Sequence, residues 1–266
     1  KYALHSAFLP GSGEYILSNK ISNPSIKKRA LIFFGLEMIS WGINVSYKNK
    51  YKNQIKSYQK YADDNWSFAD WIHDYYDFES SDYSYLWENS EGEYLGIGES
   101  SHYVQFYYGE LNQIIRTTDD NFQELQSELI ESINAGDNIY SGEHSIEIIK
   151  DQHFYENIGK YNEFFSGWAD GDIIHIEVTT TNHGYHTPRS PIKNNYLDSY
   201  DKAESFSDYA ENAMLCIYFN HFISMIDAFI LTHKFNGNIA LSSSTVFNKK
   251  ILYEPIGIKL SLAINI

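Results

Sequence analysis

The sequence predicts a mainly α-helical protein, a helical bundle around two apolar helices with polar seams, plus a small β element from the C-terminal tail. Three observations carry this reading. Two apolar runs, ALIFFGLEMISWGI (30–43) and NAMLCIYFNHFISMIDAFIL (212–231), are too long for strands and hold polar residues at helical spacing. Residues that open and close helices bound several other segments. Alternating β-branched sequence is confined to IIHIEVTTT (173–181) and to the tail.

Taken in order, the opening KYALHSAFLPGSGEYIL is an apolar stretch broken at Pro10–Gly13. A polar turn (18–25) and the basic cluster Lys27, Lys28, Arg29 follow. Pro24 and Ser25 open a long helix over 25–61, apolar in its first half and rich in Lys and Tyr in its second. Residues 62–110 are acidic and aromatic, with short helices or irregular turns expected. A solvent-facing helix is predicted over 119–135, closed by Gly136, and another over 144–166, ending near Gly167. A strand is predicted at 173–181 and a loop over 182–200, which holds Pro188 and Pro191. The second apolar helix runs over 208–233. The tail reads as two or three short strands with a bend at Pro255–Gly257. The expected segments are an apolar hairpin and basic helix (1–61), an acidic aromatic body (62–207) and an apolar helix with strands (208–266), integrated into one domain.

Composition narrows the function classes. The 266 residues suffice for a sizeable core, and 17% aromatic content is high, with 23 Tyr and 16 Phe. The single cysteine, Cys216, excludes an internal disulfide and any Cys-based zinc site; inside an apolar run it reads as a small buried hydrophobe. A net charge of −15 argues against a nucleic-acid partner. The charge is uneven: residues 1–60 hold ten Lys and Arg against only Glu14 and Glu37. That polarity suits a basic segment near an anionic surface and an acidic body in solvent; solvated lysines on one helix are the plainer alternative. The sequence starts at Lys1 without an initiator Met, so an export signal has been removed or the chain has been trimmed.

Both apolar helices carry a polar stripe. Glu37, Ser40 and Asn44 fall at i, i+3 and i+7; Asn220, Ser224 and Asp227 fall at i, i+4 and i+7, with His221 beside them. Packing seam against seam is the economical arrangement, with Glu37 near Asn220 or His221. The residues leave two settings open. In a membrane, the nine Leu, Ile and Phe of 213–231 gain roughly 4 kcal/mol on insertion, which Asp227 largely cancels, so the helices would enter only with their polar groups paired. In a soluble fold they are core helices with satisfied polar groups.

Chemical motifs are sparse. GSGE (11–14) lacks the Lys-Ser/Thr of a phosphate loop and reads as a tight turn. His175, Glu177, His183 and His186 are the candidate metal ligands, yet their spacing matches no recognised site, and neither metal nor cofactor is expected. The aromatic and acidic mixture at 66–108 (Trp66, Trp71, Trp87, Tyr75, Tyr76, Tyr107, Tyr108) offers rings for stacking on sugars, against the plainer reading of core packing. No G-x-S-x-G supports a serine hydrolase. His221 and Asp227, six residues apart, face different ways, so no catalytic pair is expected there.

The opening SAFLPGSGEYIL with IFFGLEMISWG, then FYENIGKYNEFFSGWAD (154–170) and NHFISMIDAFILTHKFN (220–236), resembles a group of bacterial cell-envelope proteins, loosely related to domain of unknown function 5683. In that group a P-G-x-G hairpin leads into an apolar helix bearing one Glu, and a later helix carries N-H-x-x-S-x-x-D-A. The resemblance covers three blocks in the right order and points to Glu37, Asn220, His221, Ser224, Asp227 and Asn236. A small residue replaces the Gly expected after the hairpin turn, and 62–110 has no counterpart. It implies an exported or membrane-associated envelope protein; the function expected of the chain is non-enzymatic, membrane-associated through the two apolar helices and facing the periplasm, with membrane lipid or other envelope proteins as partners. A soluble exported enzyme or carbohydrate-binding protein is the competing class.

Overall fold

Pro10 and Gly11 end one helix and let another begin. The computed structural model describes residues 1–79, 101–109, 113–142, 145–172, 177–180, 186–236, 239–247 and 255–264. The chain divides into two compact units, 1–50 with 205–266, and 51–204.

The first unit opens with a helical hairpin, α1 (Tyr2–Phe8) and α2 (Ser12–Ile21), where the sequence suggested only a broken apolar stretch and a polar turn. Its corner depends on glycine. Gly11 has φ +85°, and a Cβ there would run into the carbonyl oxygen of Ala30; at Gly13 it would meet the carbonyl of Tyr2. Ser22, at φ 53°, closes α2, and Pro24 starts α3 (Pro24–Asn65). The first half of α3 packs against the second half of α7 (Pro191–Phe235), and among the described residues these two helices are long and apolar enough to cross a membrane. A hairpin of β6 (Ile239–Phe247) and β7 (Pro255–Ile264) completes the unit.

The second unit has a conventional interior. α4 (Phe68–Glu79), α5 (Asp120–Ala135), α6 (Gln152–Lys160) and a 3-10 helix (Asn162–Gly167) surround an antiparallel sheet of order β2-β1-β3. β1 is Gln105–Tyr108, β2 Gln113–Arg116 and β3 Ile146–Ile148. Phe106 pairs with Ile115 and Ile148 across that sheet, and α5 buries Phe122, Leu125 and Leu129 from one face. Three tryptophans are sunk among these elements. Their indole N–H groups donate to backbone carbonyls: Trp66 to Phe164 (3.0 Å), Trp71 to Glu163 (2.5 Å) and Trp168 to Ile158 (2.9 Å). Large rings thus fill the core while each polar tip stays paired. Burial pushes the Tyr155 hydroxyl above the usual tyrosine range, with Asp63 adding to the effect.

Two expectations need correction. The helix predicted over 144–166 is β3, α6 and the 3-10 helix: Asp151 caps α6 by accepting from the Phe154 N–H (2.8 Å), which fixes a later start. The loop predicted over 182–200 is β5 (His186–Arg189), paired with β4 (Glu177–Thr180), and then the start of α7. Ser190 accepts from the Lys193 N–H (3.3 Å) while Pro191 takes the first helical position, so these residues begin a helix rather than prevent one. Accordingly α7 begins well before residue 208. Cys216 is exposed, not buried: α7 turns it to the outer face beside Leu215 and Phe219.

Candidate functional site: a polar seam inside an apolar unit

In the first unit the usual distribution of side chains is inverted. Apart from Ile217, the buried stripe of α7 is small or polar (Ala210, Ala213, Asn220, Ser224, Ala228), and α3 buries Glu37, Ser40 and Asn44 on its facing side. Large apolar side chains point outward, among them Leu31 at 59%, Ile32 at 61% and Met38 at 60% exposure. Small residues let the two helices approach closely enough for side chains to bond the opposite backbone. Asn44 Nδ2 donates to the carbonyl of Ala210 (2.7 Å), and Asn220 Nδ2 to that of Phe33 (2.9 Å).

Glu37 is the first focus. Its Oε2 accepts from Asn220 Nδ2 (2.9 Å), and its Oε1 accepts from Trp41 Nε1 (2.8 Å) and lies 3.1 Å from His221 Nε2. His221 Nδ1 sits 2.8 Å from the carbonyl oxygen of Ala7, which can only accept, so Nδ1 carries a hydrogen.

Glu14 is the second focus, and it lies outside the two helical seams read from the sequence. It is fully buried; Ser6 Oγ donates to Oε2 (2.5 Å) and Ser224 Oγ to Oε1 (2.8 Å). Each hydroxyl is itself fed by a backbone N–H of the hairpin corner: Gly13 to Ser6 (3.0 Å), and Gly11 to Ser224 (2.8 Å). The carboxylate thus locks the α1–α2 corner onto α7. Its position in the first turn of α2 also sets it against the positive end of that helix. One signal was present in the sequence: Glu14 and Glu37 are the only acids among the first sixty residues.

The remaining candidates separate. Glu37, Ser40, Asn44, Asn220 and Ser224 are buried, whereas His221 and Asp227 are half-buried at the seam's margin. Asp227 Oδ1 pairs with Arg29 Nη1 at 2.8 Å, so it bonds neither His221 nor Ser224, and no Ser–His–Asp relay forms. Asn236 is exposed at the end of α7, where its N–H donates to the carbonyl of Thr232 (3.1 Å). His175 and His183 lie outside the described residues. Glu177 is exposed on β4, and His186 pairs with Thr180 in the backbone register of β5. Among the described residues, no three His, Cys, Asp or Glu gather to hold a metal.

The second unit contains a cleft of about 690 Å³ lined in part by Asp63, Trp66, Phe68, Glu147, Lys150 and Phe154. Of its rings, Trp66, Phe68 and Phe154 are core residues, with Phe68 at 1% and Phe154 at 4% exposure, and present no face for a sugar to stack on; Tyr140 alone of the lining rings is exposed. Trp71 is buried likewise, Tyr107 and Tyr108 are half-buried, Trp87 lies outside the described residues, and the side chains of Tyr75 and Tyr76 are not described. Elsewhere Lys193 is fully buried with its amine 5.3 Å from the Phe165 ring centre and no hydrogen-bond partner among the described residues. Compared with protein-family models, with curated proteins and with solved structures, the chain matches none.

Proposed function

We propose that the first unit lies in a lipid bilayer and anchors a non-enzymatic protein of the bacterial cell envelope, with a structural or partner-binding role. One observation carries the reading: polar groups are inside and large apolar groups outside, with only 22% of the apolar window of each long helix buried. A water-soluble monomer rarely exposes a contiguous apolar patch beyond a few hundred Å². A bilayer reverses that preference and requires polar side chains to be paired within the protein, as Glu14, Glu37 and Asn44 are. Tyr47 and Tyr209, packed at 5.0 Å between ring centres beside the Lys50 ammonium, suit the boundary between lipid and headgroups.

The second unit, 51–204, falls between the two spans in the sequence and has a conventional apolar core, which supports a water-exposed body available to partners. Lysines flank the first span at both ends, so charge bias does not choose a side; the periplasmic placement rests on the resemblance to envelope proteins. The test is fractionation of cells producing the full chain, followed by a carbonate wash at high pH. The protein is expected to stay in the membrane pellet and to need detergent for release. Recovery in the wash would overturn the reading.

A further inference from the structure

One groove on the first unit is built differently from the apolar surface around it. It encloses about 230 Å³ between the hairpin corner and the start of α3, and its walls include Leu9, Pro10, Ile16, Leu31 and Phe34. Lys27, Leu31 and Phe34 stand at i, i+4 and i+7 on α3, so a cation heads the same helical stripe that forms the apolar wall. The Lys27 ammonium lies 5.7 Å from the ring centre of Tyr15, another wall residue. Lys28 is adjacent on α3, and the only carboxylates of the first sixty residues, Glu14 and Glu37, are buried in the seam. Ser12 also lines the groove, and its buried hydroxyl has no hydrogen-bond partner among the described residues.

We propose that this groove holds one acyl chain of an anionic glycerophospholipid, with the phosphate against Lys27 and an ester carbonyl accepting from Ser12 Oγ. The occupant follows from a cation set at the head of an apolar channel. A cation heads the α3 stripe, an apolar channel follows it, and Ser12 stands in the channel wall, which together supply partners for the phosphate, the hydrocarbon and the ester of a phospholipid. A second copy of this chain offers no such match, because the exposed faces of α3 and α7 are apolar along their spans. The inference rests on the bilayer placement above.

The test uses the full chain reconstituted in nanodiscs made from equal parts of phosphatidylcholine and phosphatidylglycerol, released and weighed by native mass spectrometry. The wild type is expected to retain one phosphatidylglycerol, preferred over phosphatidylcholine about fivefold, the effect of one well-placed lysine near an anionic surface. Lys27→Ala should bring the two lipids close to parity. Leu31→Trp, which fills the groove, should abolish retention, while Leu215→Trp on the outer face of α7 should leave it unchanged. Equal retention of both lipids by the wild type, undiminished retention by Leu31→Trp, or a lipid-free dimer would each overturn the site. A chain that never enters the nanodisc and stays in buffer would instead overturn the bilayer placement itself.

Discussion

Glu37 stands where hydrogen bonds from three side chains converge, and the consequence of removing it depends on what replaces it. Leucine would leave His221, Asn220 and Trp41 without their shared acceptor at the buried seam. Glutamine keeps one acceptor oxygen, removes the charge and turns the other oxygen into an NH2 donor, which Asn220 can accept through Oδ1 once its amide flips. Glu37→Leu is therefore expected to cost about 3–5 kcal/mol, the cost of stripping one partner from a buried pair. Glu37→Gln should cost about 1 kcal/mol, comparable to one weakened hydrogen bond. Thermal unfolding in detergent micelles, followed by tryptophan fluorescence, measures both. Equal tolerance of the two would show that the seam is hydrated and that its bonds add nothing.

The α1–α2 hairpin makes a complementary point about how elements are held. Gly11→Ala must push a methyl group into the Ala30 backbone at a φ that L-residues avoid, so a loss of roughly 2–4 kcal/mol is expected. Gly136 shares a positive φ (80°) but has open space around its Cβ position. Gly136→Ala should cost only about 1 kcal/mol. Limited trypsin digestion reads the difference: in Gly11→Ala the freed hairpin should be cut after Lys20 well before the wild type is. The mainly helical reading holds because it rests on periodicity and end signals. Asp120–Ala135 ends at the predicted Gly136, and the seam spacings place Glu37, Ser40 and Asn44 on one buried face. The misread segments had signals that point two ways. Ser190-Pro191 ends an extended strand and also caps a helix, and only the tertiary setting chooses. Glu14 was harder to weigh, since its partners Ser6 and Ser224 come from opposite ends of the chain and no local spacing reveals them. The exposure of Cys216 was hidden for another reason: in an inverted unit, an apolar neighbourhood in sequence means the outside.

That inversion splits the molecule into two physical regimes. The second unit gathers Trp71, Phe106 and Phe164 away from solvent, as a water-soluble protein does; the first turns Leu31, Ile39 and Phe222 toward its surroundings. Cys216 reports on the difference. It is exposed on the outer face of α7, so in water a charged thiol reagent would reach it freely. In lipid vesicles the expectation is the opposite: a charged methanethiosulfonate should leave Cys216 unmodified until SDS is added. Rapid labelling in intact vesicles would place that face in water.

The partners of the two buried carboxylates also set an order of events during synthesis. Ser224 lies 210 residues after Glu14, and His221 lies 184 after Glu37. At ordinary translation speeds of roughly 5–20 residues per second, Ser224 follows Glu14 out of the ribosome by roughly 10–40 s. During that interval the hairpin and the first apolar helix exist without the groups that accommodate their acids. A nascent chain ending before His221 can satisfy neither carboxylate as the finished protein does. Unassembled chains thus carry a mark, an acid without its mate in an apolar segment, by which a quality-control protease could tell them from complete ones.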